Sequence, residues 1–67
     1  MITVSVNGDT KSVQDGTSLQ AFLTDLALDP KKVAVERNLQ IVPKSTFADV
    51  MLADSDALEI VHFIGGG

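Results

Sequence analysis

The sequence predicts a two-layer α+β domain, with one main helix packed on one face of a mixed sheet. Three observations carry that expectation. Ile2, Val4 and Val6 alternate with Thr3 and Ser5 ahead of Asn7-Gly8, the pattern of a half-buried strand entering a tight hairpin. Leu19, Phe22, Leu23 and Leu26 then fall at helical spacing. A β-branched and aromatic run, Leu58 to Phe63, follows later and returns the chain to a sheet.

The elements follow in order. Asn7-Gly8 supplies the positive φ angles of a type I′ turn, so residues 1–13 read as a hairpin with Thr10 to Val13 as the return strand. Asp15-Gly16 ends it. Thr17, with Gln20 three residues on, matches a capping box and opens a helix expected from Ser18 to Ala27. Pro30 bars its continuation, and Leu28 joins the core from just beyond the helix end. Val33 to Arg37 reads as a strand. Asn38 tolerates a left-handed turn, Gln40 to Val42 is a short partner strand, and Pro43 ends it. Residues 44–52 fit either a helical turn or a loop, with Phe47, Val50 and Leu52 covering one end of the core. Asp54-Ser55-Asp56 is a polar turn. In the last strand, Leu58 and Ile60 are expected to point inward and Glu59, Val61 and Phe63 to the opposite face. The organisation is therefore a folded domain over residues 1–63 and a flexible glycine tail over residues 64–67.

Composition narrows the function. The chain has 67 residues, and a domain near this size buries only about 60% of the surface its unfolded chain would expose. That leaves little core behind a deep catalytic cleft, so a carrier or binding module is expected rather than a self-contained enzyme. Hydrophobic residues make up 45%, enough for a packed core, and no apolar run approaches a membrane span. The net charge is −4, which repels phosphate backbones, so no nucleic-acid partner is expected. The absence of cysteine fits a reducing, cytoplasmic setting, and the start Met1-Ile2-Thr3-Val4 lacks the pattern of a signal peptide.

The most informative stretch is Gly65-Gly66-Gly67, directly after Ile64. Three glycines add nothing to a core and are costly to order. Without Cβ atoms, however, Gly65 and Gly66 suit threading through a narrow channel in a partner enzyme, which would present the carboxylate of Gly67. A carboxylate resists nucleophilic attack until it is converted to an acyl phosphate or adenylate. The chain has no glycine-rich phosphate loop or Walker lysine, so activation is expected from a separate enzyme. An exposed Val61 and Phe63 beside that tail, with Ile64, would mark a docking surface. The alternative register would bury Phe63.

Other polar residues carry less. His62 reads as a solvated or interface histidine, with proton shuttling near the tail as the alternative. Asp54 and Asp56 read as turn residues rather than metal ligands. Ser18 and Ser45 have no His or Asp at a spacing that supports nucleophilic catalysis. Arg37 and Lys44 suit charge contacts with a partner or simple solvation.

The stretches Val6-Asn7-Gly8, Thr17-Ser18-Leu19, Val33 to Asn38, Ile41 to Ser45, and Leu58 to Val61 running to Ile64-Gly65-Gly66-Gly67 span almost the whole chain. Together they resemble the sulfur-carrier proteins of thiamine biosynthesis, the ThiS family. The resemblance implies a ubiquitin-like β-grasp fold with the first and last strands side by side. It implies a ThiF-like adenylyltransferase that uses ATP and Mg²⁺ to adenylate Gly67, with no cofactor bound by this chain. It further implies sulfur drawn from cysteine through a desulfurase, a thiocarboxylate on Gly67, and a ThiG-like thiazole synthase as recipient. Ser55 departs from the family pattern, which usually has glycine there. The small subunit of molybdopterin synthase, a lysine-conjugated modifier, and a β-grasp binding module with an inert tail are the alternative readings.

Overall fold

The computed structural model describes residues 1–63. Strand β1 (Ile2–Val6) turns through Asn7 and Gly8, both at positive φ, into β2 (Asp9–Val13). Helix α1 (Leu19–Asp25) follows, then a single 3-10 turn at Pro30–Lys32. Strand β3 (Val33–Arg37) turns into the short β4 (Gln40–Ile41), a second 3-10 turn covers Lys44–Thr46, and β5 (Ala57–His62) closes the sheet. The strand order is β2-β1-β5-β3-β4. β1 and β5 lie parallel in the middle, and the other neighbours are antiparallel.

The pleat sorts the side chains. Val4 and Val6, Val33 and Val35, and Leu58 and Ile60 turn to one face, where Leu19, Phe22 and Leu23 of α1 meet them with Val13, Phe47 and Leu52. Leu28 and Val50 pack against this core from the loops. The other face carries Thr3 and Ser5, Ala34 and Glu36, and Glu59 and Val61, and among the described residues no helix lies over it.

The start of the helix differs from the capping-box expectation. Ser18, not Thr17, is the N-cap, and its hydroxyl accepts from Ala21 N–H at 3.1 Å. The shift has a tertiary cause. Leu52 N–H donates to Thr17 C=O and Leu19 N–H to Val50 C=O, so Thr17 and Ser18 are held extended against the 50–52 segment. Thr17 spends its hydroxyl on Gln14 C=O instead. Gln20 N–H donates to Phe47 C=O and Phe22 N–H to Ser18 C=O, so all four leading amides of α1 are paired.

The helix also ends earlier than expected, at Asp25 rather than Ala27. Ala27 sits at φ 62°, Leu28 N–H donates to Leu23 C=O at 2.9 Å, and Ala27 N–H to Thr24 C=O at 2.9 Å. This is a Schellman closure, with alanine where glycine is usual. Two further boundaries shorten by one residue. Val42 lies beyond β4 yet still donates to Val35 C=O, and Phe63 lies just past β5 with its N–H on Lys32 C=O at 2.8 Å. The 44–52 region resolves as one 3-10 turn followed by loop, which buries Phe47 and Leu52.

Candidate functional site

β5 is the element that leads toward the C-terminal glycines, and the fold places it at the centre of the sheet. Both hairpin turns close onto it. In the second turn, Asn38 N–H donates to Ala57 C=O at 2.8 Å, and Asn38 Oδ1 accepts from Ala57 N–H at 2.9 Å. In the first turn, Asn7 N–H donates to Leu58 C=O at 2.9 Å. The Asn7 carboxamide then reaches one step further. Its Oδ1 accepts from Ile60 N–H at 2.8 Å and its Nδ2 donates to Ile60 C=O at 3.1 Å. Two asparagines that read in sequence as turn formers are thus also backbone clamps on the last strand.

The start of β5 is anchored by Asp56, the only charged residue buried among those described. Asp56 Oδ2 accepts from Arg37 Nε at 2.9 Å and from Ala53 N–H at 2.8 Å, and Oδ1 accepts from Asn38 Nδ2 at 3.0 Å. Burial pushes its carboxyl upward, but the Ala53, Asn38 and Arg37 contacts outweigh that and hold it below its ordinary value. Asp54 is engaged as well, accepting from Thr3 N–H at 2.8 Å. Among the described residues, no group of three or more acidic, His or Cys side chains is placed to hold a metal ion. No helix among them is long and apolar enough to cross a membrane.

The residues named for docking fall as follows. Val61 is 60% exposed on the open face, and Phe63 is 42% exposed at the strand's end rather than in the core. Lys44 Nζ sits 4.7 Å from the centre of the Phe63 ring, a cation–π contact. Val61 lies directly across from Ala34, and a shallow groove joins these two to Ile41, with Glu36 and Glu59 along it. Ile41, exposed in the same groove, is a member that sequence reasoning missed, because a two-residue strand has no alternation to read. His62 is exposed opposite Val33. Ile64, Gly65, Gly66 and Gly67 lie outside the described residues, as does the expectation of a separate tail over 64–67.

The sequence model of the ThiS family matches residues 4–67. The chain belongs to the ThiS family. A sulfur carrier protein ThiS from Bacillus subtilis is 43% identical over 65 residues, covering 96% of this chain and 98% of that one. A thiazole synthase from Paramagnetospirillum magneticum is 52% identical over 62 residues, 92% of this chain but 19% of that protein, so this chain spans about a fifth of that relative's length. The crystal structure of thiamine biosynthesis protein ThiS from Geobacter metallireducens superposes with a TM-score of 0.83 at 28% identity, covering 98% of this chain and 100% of that one. The fold is accordingly the β-grasp of the ThiS family, with the mixed five-stranded sheet and single main helix expected of it.

Proposed function

We propose that this ThiS-family chain is a sulfur carrier in thiamine biosynthesis, acted on by enzymes rather than catalysing a reaction itself. The observation that carries the reading is the match to the Bacillus subtilis sulfur carrier along nearly the full length of both chains. The 52% identical segment within a thiazole synthase supports a thiazole synthase as the recipient, since a carrier and its acceptor gain from being held together.

On this reading the reactive group is the carboxylate of Gly67. One of its oxygens attacks the α-phosphorus of ATP on a ThiF-like adenylyltransferase, which also holds the Mg²⁺, and pyrophosphate leaves. A sulfur nucleophile at the oxidation level of sulfide, released when a thiol reductant reduces the persulfide that a desulfurase forms from cysteine, with the thiols oxidised to a disulfide, attacks the acyl carbon. AMP leaves with the activated oxygen, and a thiocarboxylate remains. Sulfur then acts as the nucleophile toward the substrate of the thiazole synthase. This chain supplies no acid, base or phosphate-binding loop for these steps. It supplies the acyl group, a glycine approach through Gly65 and Gly66, and an exposed surface at Val61 and Phe63, with Ile64 next in the chain, against which the partners can dock.

Intact-mass spectrometry tests the proposal. After incubation with ATP, Mg²⁺, the adenylyltransferase and a sulfide source, the mass should increase by a single exchange of oxygen for sulfur, mapped to Gly67. Sulfur on any other residue, or a lysine-linked conjugate in place of a thiocarboxylate, overturns it.

A further inference from the structure

The backbone ladder between β1 and β5 runs only through Ser5↔Ala57 and Val6↔Leu58 before β1 turns away. On the other side, pairing with β3 continues to Val33↔His62, and Phe63 N–H still reaches Lys32 C=O. From Ile60 onward β5 would therefore be held from one side only. The Asn7 carboxamide changes that. It presents an acceptor and a donor to Ile60 in the arrangement a neighbouring strand would offer, which adds one rung beyond the end of β1. This bond pair joins residues 53 apart and is, among the described residues, the last hydrogen bond that β5 receives from the β1 side.

We infer that Asn7 is a positioning residue for the carrier reaction: by clamping Ile60 through its carboxamide it fixes the direction of the strand through Val61, His62 and Phe63, on which the placement of the Gly67 acyl group in a partner's active site depends. The inference rests on the carrier reading. The partner grips the folded domain at one place and must find the acyl carbon at another, several residues away. Each degree of freedom at the root of that segment multiplies the nonproductive placements of the reacting atom. Misplacement by about 1 Å can cost up to about a hundredfold in rate. A clamp at Ile60 restricts that freedom without touching the reacting group.

The turn itself offers a clean control. Asn-Gly, Asp-Gly and Gly-Gly all support the type I′ geometry seen at Asn7 and Gly8. Asn7→Gly keeps the turn and removes both bonds. Asn7→Asp keeps the acceptor for Ile60 N–H but sets a carboxylate oxygen against Ile60 C=O. The experiment measures pyrophosphate release by the ThiF-like adenylyltransferase over a range of concentrations of the full-length carrier. Because the carrier is the substrate, a lower folded fraction raises the apparent KM and leaves kcat alone. Loss of positioning instead lowers kcat. Both variants should show kcat reduced roughly tenfold with KM changed less than about threefold, a size in keeping with small positional errors. Unchanged kcat in either variant overturns the inference.

Backbone order from ¹⁵N relaxation supplies a readout that does not depend on the carrier reading. In Asn7→Gly, order should fall at residues 61–63 and remain at wild-type values in β2. Wild-type order at 61–63 would overturn the clamp even if the enzyme assay failed. A wild-type carrier that releases no pyrophosphate would instead count against the proposed function, with the relaxation data still deciding the role of Asn7.

Discussion

Arg37 Nε donates to Asp56 Oδ2 at 2.9 Å and ties the end of β3 to the residue that launches β5. The two partners are unequally placed. The Asp56 side chain is 6% exposed and the Arg37 side chain 30%. Asp56 also holds the Ala53 amide and the Asn38 carboxamide, whereas the Arg37 guanidinium has Met51 C=O at 3.3 Å and some access to water. The costs of removing them should differ accordingly. Asp56→Ala strands three donors and should cost about 3 kcal/mol. Arg37→Ala leaves the carboxylate with two donors and should cost about 1 kcal/mol. Urea denaturation of both variants measures this, and equal costs would show that the pair, rather than the Asp56 hub, carries the stability.

The same carboxylate makes stability depend on pH. Its folded pKa lies below its unfolded value, because the hydrogen bonds and the guanidinium outweigh burial. Its contribution is therefore complete above the unfolded pKa of about 3.9 and is lost as pH falls through the folded one. Wild type should lose stability on acidification below about pH 5 more steeply than Asp56→Asn, since that window follows from the unfolded value. Parallel acid limbs in urea titrations would assign the acid sensitivity to other groups.

Ser55, in the turn before β5, sits at φ 71°. Ala27, the Schellman residue, sits at φ 62°. Each L-residue in this region costs about 1 kcal/mol that glycine avoids, part of it offset by the greater entropy of the unfolded glycine chain. Ser55→Gly and Ala27→Gly should each stabilise the domain by about 0.5–1 kcal/mol, raising Tm by a few degrees in a chain this small. A fall in Tm for either would mean that its side chain makes a contact that outweighs the backbone strain.

Phe63 is half-exposed under Lys44 and outside the core cluster. Phe63→Ala should lower stability by less than about 1.5 kcal/mol, below the cost of a core aromatic. It should weaken binding to the adenylyltransferase about tenfold or more, as truncating an aromatic anchor does. Calorimetry and thermal melts separate the two effects. A large melting loss with wild-type binding would make Phe63 a structural residue.

Removal of Gly67 should abolish ATP-dependent thiocarboxylate formation and leave the melting temperature within error of wild type, because the described core ends at Ile60. Retained sulfur loading in the truncated chain would place the reactive group elsewhere.

Much of the architecture was legible because its signals are local. Asn7-Gly8 and Asn38 announced their turns, the Leu19-Phe22-Leu23-Leu26 stripe announced α1, and alternation through Leu58 and Ile60 oriented β5 correctly. Three features that were misplaced or left open depend on contacts distant in sequence. The cap moved from Thr17 to Ser18 because residues 50–52 hold Thr17 and Ser18 extended, and no residue near Thr17 signals that. Residues 44–52 showed no period because Phe47 and Leu52 are aimed inward by separate backbone bonds, not by a repeating element. Asp56 read only as part of a polar turn because two of its three donors, on Arg37 and Asn38, are distant in sequence.

Local signals alone were enough for the four main strands and the helix, for the inward and outward faces of β5, and for membership of a family whose pattern matches residues 4–67. Periodicity, turn chemistry and motif order are all written over a few residues, so they survive without a fold. The tertiary structure alone decided that Asn7 would clamp Ile60 and that Asp56 would become a buried hub. Those roles depend on which backbone groups a crossing strand leaves unpaired. That is set only when β5 slides between β1 and β3, bringing residues up to 53 positions apart within hydrogen-bond reach.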